Sequence, residues 1–207
     1  MSDAPRPSVV RAVLIAAVIS WLVTALRLFG EHEKWSPVFF GGNLSIVGIT
    51  WLLFPFAFWF GRRLAQNGHA PASARRVVVL HLVAFALVAG SHFAVRGIED
   101  VNTRVCAQGA AVAVIGLAGL VAWPRAWLAL ASYGVLARLS VIVATRIAFA
   151  NDWDTHFVKG PPNSDPADAL FLTTVIQLTF WPLAFTTLVG GLVALLGARM
   201  ARRAPAP

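Results

Sequence analysis

Cysteine is nearly absent from this chain: Cys106 stands alone among 207 residues. That excludes an intrachain disulfide and weighs against a cysteine-based metal centre. Charge is scarce as well. Charged residues make up 13% of the chain, about half of the roughly 25% usual in a soluble domain. A chain that is 58% hydrophobic cannot cover itself with polar groups in water, so its solvent is expected to be lipid. Only two lysines, Lys34 and Lys159, stand against fifteen arginines, a bias associated with GC-rich bacterial genomes. GxSxG, HExxH and P-loop motifs are all missing, which excludes hydrolases and ATPases of those types.

What is present is a series of apolar runs. A helix needs about 20 apolar residues to cross the bilayer core, and six segments meet that length: 9–29, 42–60, 77–95, 105–123, 128–150 and 169–198. The period-2 alternation of a membrane barrel is missing. The first segment is too long for a signal peptide, carries Arg27 and lacks a small-residue cleavage site after it. The expected fold is an all-α integral membrane protein, a six-transmembrane-helix bundle forming one membrane domain over 1–207 with no soluble domain.

The formal net charge is +8, but the basic residues border apolar runs and form no stripe or nucleic-acid motif. Their placement instead predicts orientation. Arg6, Arg11, Arg62, Arg63, Arg75, Arg76, Arg125, Arg199, Arg202 and Arg203 fall on one side, with only Asp3 acidic. Arg27, Lys34, Arg96, Arg104, Arg146 and Lys159 fall on the other, together with the remaining eight carboxylates. Both termini are therefore expected in the cytoplasm, the chain lying in the inner (plasma) membrane. Trp59, Trp123 and Trp127 are expected as inner interfacial anchors, Trp35 and Trp153 as outer ones. The four arginines of the 61–76 loop should attract anionic lipid headgroups at roughly 1 kcal/mol each, although their main role is to determine topology.

A pattern recurs three times. Outward helices end in Ala25-Leu26-Arg27, Ala94-Val95-Arg96 and Ala144-Thr145-Arg146; inward helices carry Phe54-Pro55-Phe56-Ala57-Phe58, Trp123-Pro124-Arg125-Ala126-Trp127 and Trp181-Pro182-Leu183-Ala184-Phe185. The Arg-to-Pro separation is 28 residues twice and 36 in the third case. Three pseudo-repeated helical hairpins, over about 9–60, 77–123 and 128–198, follow as an expectation, since repeats are common in transport folds. The opposing interpretation is three separate proline kinks near an aromatic belt.

Arg27, Arg96 and Arg146 each sit near the last turn of an outward helix, where a cation complements the helix dipole or snorkels to the interface. The functional alternative is a ring of three guanidiniums facing an anion. Arg138 is the sharper candidate. It stands near mid-depth in the fifth segment, where a charge costs roughly 2.5–3.5 kcal/mol, and every carboxylate is assigned to a loop or terminus. Gln177, Thr174 or Thr179 on the sixth segment, or a bound anion, are its expected partners. A later helix start near Ser132 would instead let it snorkel inward.

His81 and His92 lie three turns apart on one helix, but no other helix supplies a second axial ligand and the methionines are only Met1 and Met200. Haem is therefore disfavoured, and the cofactor is left open. Glu31, His32, Asp152, Asp154 and His156 could in principle bind a divalent metal; solvation and pairing with Arg27 and Arg146 explain them more simply. The small-residue run Gly109, Gly116 and Gly119 permits close helix approach and marks that helix as the expected centre of the bundle, or else a surface for membrane partner subunits.

Two functions are compatible with this pattern. The favoured one is a small permease or anion-binding membrane protein using Arg138 and Gln177 inside and Arg27, Arg96 and Arg146 at the outer mouth. The other is a non-catalytic subunit or assembly factor of a larger membrane complex. Catalysis ranks third. A polar path between the fifth and sixth segments separates the first two.

Overall fold

The computed structural model describes residues 8–41, 47–158 and 165–203. The expected start of the second segment at Gly42, and Asp3, Arg6 and Lys159, lie outside them. Every regular element among the described residues is helical. Helix α1 spans Val9–His32, α2 Pro37–Phe40, α3 Ile49–Gln66, α4 Ala74–Ala94, α5 Val101–Gly116, α6 Ala118–Ala122 and α7 Pro124–Ala150. A 3-10 turn at His156–Val158 precedes α8, Pro166–Leu178. A π-helical stretch, Phe180–Val189, then runs into α9, Gly190–Arg203.

Local chemistry sets these ends. Ser8 and Ser73 cap α1 and α4 by accepting from the amides of Arg11 and Arg76, satisfying donors that a helix start leaves open. Asp100 caps α5 through the Thr103 amide at 2.6 Å, and hydrogen bonds from the Thr103 side chain and amide hold its carboxyl below the usual aspartate value. Pro124 and Pro166 occupy first-turn positions, where the missing N–H removes no hydrogen bond.

Five spans are long and apolar enough to cross a bilayer: Val9–His32, Ala74–Ala94, Val101–Ala122, Pro124–Ala150 and Pro166–Arg202. A 27-residue helix such as α7 is about 40 Å long, more than the roughly 30 Å hydrocarbon core. Large apolar side chains, among them Leu22, Leu82, Phe93, Val114 and Leu128, point outward from these helices. Such surfaces suit a lipid solvent, and the chain is a helical membrane protein. Helix α3 falls short of the same measure, since Arg62, Arg63 and Gln66 occupy its end.

The central helix is not the one expected. Within its most apolar window α7 is 61% buried, against 28% for Val101–Ala122. The main core joins Ala12 and Ala16 of α1, Phe56 and Phe60 of α3, Leu130 and Tyr133 of α7, and Ala194 of α9. The α5 glycines serve one intramolecular contact instead. A Cβ on Gly116 would lie 2.0 Å from the Leu183 carbonyl oxygen of the π-helix. Small residues report close approach, and a peripheral helix can need that as much as a central one.

Helices α1 and α7 run in the same direction along a polar seam. Ser20 meets the Tyr133 hydroxyl at 3.1 Å, Thr24 meets Ser140 at 2.8 Å, and Trp21 donates to the Leu136 carbonyl at 2.9 Å. Helices α3 and α9 are likewise parallel: Gly190 abuts Leu53 and Ala57, and Gly197 abuts Phe58 and Arg62.

Several boundaries differ from expectation. The 61–76 loop is mostly helix, because α3 runs to Gln66 and α4 begins at Ala74. Trp123 is buried and donates to the His69 carbonyl, and Trp127 donates to that of Gly116. Both indoles thus donate within the protein, to a carbonyl left open at a loop or helix end. The three recurring prolines occupy unlike settings: Pro55 inside α3, Pro124 at the start of α7, Pro182 within the π-helical stretch.

Candidate functional site

Arg138 lies in the middle of α7, which begins at Pro124 and so excludes a later start near Ser132. Its residue surface is 7% exposed. The guanidinium lies over the Trp181 ring, 4.1 Å from its centroid, and Nη1 donates to Gln177 Oε1 at 3.4 Å. Thr174 and Thr179 donate instead to the carbonyls of Leu170 and Val175 on their own helix. Among the described residues no carboxylate pairs with Arg138. The amide neutralises nothing, and a ring face attracts a cation by roughly 0.5–2 kcal/mol, so the charge is solvated but not balanced.

The π-helical stretch helps to build this arrangement. Gln177, Trp181 and Phe185 follow one another at intervals of four across the junction of α8 with the wider turn, and all three line the same cavity. Pro182 at that junction has no N–H to continue the regular ladder, and π-turns occur frequently at functional sites. On α7, Arg138, Val141 and Thr145 share the facing wall, as spacings of three and four require. Helix α3 supplies Trp51 and Phe54, and α1 supplies Thr24 and Arg27. The cavity volume is about 690 Å³, within the 300–1,000 Å³ range of organic ligand sites.

Arg27 reaches this cavity already paired. Its Nε donates to Glu31 Oε1 at 3.2 Å, and its guanidinium carbon stands 5.9 Å from the centre of the Phe157 ring. Glu31 Oε2 accepts the His156 backbone N–H at 2.9 Å and lies 2.6 Å from Nδ1. A carboxylate can only accept, which makes Nδ1 the protonated nitrogen. This network ties the 3-10 turn of the α7–α8 connection to α1, beside the cavity. It arises because α1 continues to His32, past the expected end at residue 29, so Glu31 stands one turn beyond Arg27.

The remaining candidates are dispersed. Arg96 is exposed, lies over Phe93 and lines a separate pocket with Arg104 and Gln108. Arg146 is exposed. The three helix-end arginines thus form no ring, and only Arg27 shares a cavity with Arg138. Among the described residues no group of three or more metal-ligating side chains comes together. Glu31 is occupied by Arg27 and His156, His32 stacks on Trp153 with centroids 4.0 Å apart, and Asp152 and Asp154 are exposed. His81 is buried beside Gly191 while His92 is exposed. Trp181 and Thr145 are cavity residues that the sequence reading missed. In the sequence Thr145 is only the middle of an Ala-x-Arg pattern, yet its hydroxyl is buried in the wall without a hydrogen-bond partner. Compared with protein-family models, curated proteins and solved structures, the chain matches none.

Proposed function

We propose that this protein is an anion-binding membrane protein, a small permease of the inner (plasma) membrane, with its ligand held at Arg138. One observation carries the proposal: a buried guanidinium, unpaired with any described carboxylate, faces a cavity large enough for a ligand. Burying a charge and leaving it unbalanced is costly, and an anion restores the balance. An intramembrane ionisable residue is a functional marker for this reason. The cavity lies between α7 and the α8–π-helix segment, where a ligand-handling protein needs an opening and a subunit can have a dry interior.

The same reading makes the chain a single membrane domain of six crossings, α3 being the shortest. The parallel pairs α1 with α7 and α3 with α9, and the antiparallel run of α7 against the last segment (Gly134 beside Pro182 and Thr186, Leu130 beside Gly190), support it. Both termini lie in the cytoplasm, so that Arg62, Arg63, Arg75 and Arg76 meet anionic headgroups. Arg75 and Arg76 occupy the first turn of α4, where the helix dipole disfavours cations; a membrane surface compensates them.

The test is the thermal stability of the purified protein with and without candidate anions. Anions should raise the midpoint of the parent, by an amount equivalent to about 2.7 kcal/mol at a hundredfold excess over Kd. Arg138→Met should stay folded, because an unbranched apolar side chain replaces a buried charge, and should lose the response. Arg138→Lys keeps the charge without the planar fork and should respond partially. A normal response from Arg138→Met would remove the basis of the proposal.

A further inference from the structure

We infer that the ligand is an amphiphile bearing one carboxylate, which sits on Arg138, and an apolar, ring-sized body, which lies among the aromatic side chains. This rests on the anion-binding reading and narrows it to a substrate class.

Charge limits the head to one unit. Two guanidiniums face the cavity, but Arg27 is matched by Glu31 at 3.2 Å. Arg138 alone remains unbalanced, and a dianion would bring a second negative charge into a low-dielectric wall with nothing to meet it. Geometry favours a planar head. The Arg138 guanidinium carbon lies over the Trp181 ring, and the donors of a guanidinium lie in the plane of its fork, the arrangement that a carboxylate accepts in two parallel bonds. Gln177 takes only one of the five donors.

Size and lining define the body. An inorganic anion displaces only a few waters, each about 30 Å³ of liquid, and would leave most of the 690 Å³ to solvent. The walls around the head are Trp51, Phe54, Val141, Ile176 and Phe185. Aromatic rings bury large areas and pair edge to face with another ring, as Trp181 and Phe185 already do at 5.1 Å.

The test uses the full chain in phosphatidylcholine nanodiscs, under alkaline conditions that make the phosphonate a dianion, with calorimetric titration of 3-phenylpropanoate, acetate, sulfate, 3-phenylpropanol and 2-phenylethylphosphonate. 3-Phenylpropanoate should bind at least tenfold more tightly than each of the others, and Arg138→Met should abolish its binding. Trp51→Ala, which removes part of the aromatic wall and leaves Arg138 in place, should weaken 3-phenylpropanoate several-fold and acetate far less. Equal binding of acetate or sulfate would overturn the inference while leaving anion binding intact. Equal binding of the phosphonate would overturn the single-charge limit. Arg138-dependent stabilisation by phosphatidylglycerol added to the nanodiscs, undisplaced by 3-phenylpropanoate, would assign the cavity to a lipid and overturn it too. If no anion shows an Arg138-dependent effect, this inference and the anion-binding reading fall together.

Discussion

Glu31 controls how many positive charges the cavity presents. Its side chain is only 6% exposed and serves Arg27 and His156 together. Glu31→Gln keeps the shape but removes the charge that balances Arg27. The protein should melt earlier, since hydrogen bonds to charged groups contribute about 1.5–3 kcal/mol. Its ligand preference should also change, because Arg27 would then lose the Glu31 counter-charge. Affinity for 2-phenylethylphosphonate is expected to rise at least fivefold relative to 3-phenylpropanoate. Calorimetry on the variant checks this, and an unchanged ratio would show that Arg27 does not contribute to the field at the ligand. Arg138 itself was legible from sequence, because a lone arginine deep in an apolar run is conspicuous on hydropathy grounds alone. Its cover by Trp181 was not, since that contact crosses between helices.

At the level of elements, the closest backbone approach joins α3 to α9. A Cβ on Gly61 would stand 1.9 Å from the Ala194 carbonyl oxygen, and one on Gly197 would stand 2.1 Å from that of Phe58. Gly61→Ala and Gly197→Ala should therefore each cost about 1–3 kcal/mol through overpacking, read as a lower thermal midpoint. Gly90 of α4 meets nothing within 4 Å, and Gly90→Ala should be neutral or stabilising by up to about 1 kcal/mol. Equal effects at all three positions would mean that helix propensity, rather than contact, governs these sites. The recurring proline motif shows the opposite relation of pattern to structure. Similar letters at similar spacing produced an in-helix proline, a helix-starting proline and a π-helical one, because the partner each segment packs against differs.

For the whole molecule, orientation rests on charge asymmetry. Reporters fused at Ala70 and after Pro207 should both read cytoplasmic, and one inserted within 161–166 should read external. A cytoplasmic signal from the last would break the six-crossing scheme. The short link between α3 and α4, with Arg62, Arg75 and Arg76 exposed around it, places the Ala70 reporter close to the charges that set topology.

The sequence by itself determined the apolar character, the helical class and five of the six expected spans approximately, because these depend on composition and run length, which are local properties of the chain. It also located Arg138 and named Gln177 as its acceptor, since few polar groups exist in the apolar runs to choose from. Tertiary structure alone decided which helix is central, that α1 carries Glu31 one turn past Arg27, and that only Arg27 of the three helix-end arginines shares the Arg138 cavity. Equivalent positions along a sequence fix the distance of a residue from its helix end. They leave open the rotation of each helix about its axis, and that rotation, set by side-chain packing between helices, determines which residues share a cavity.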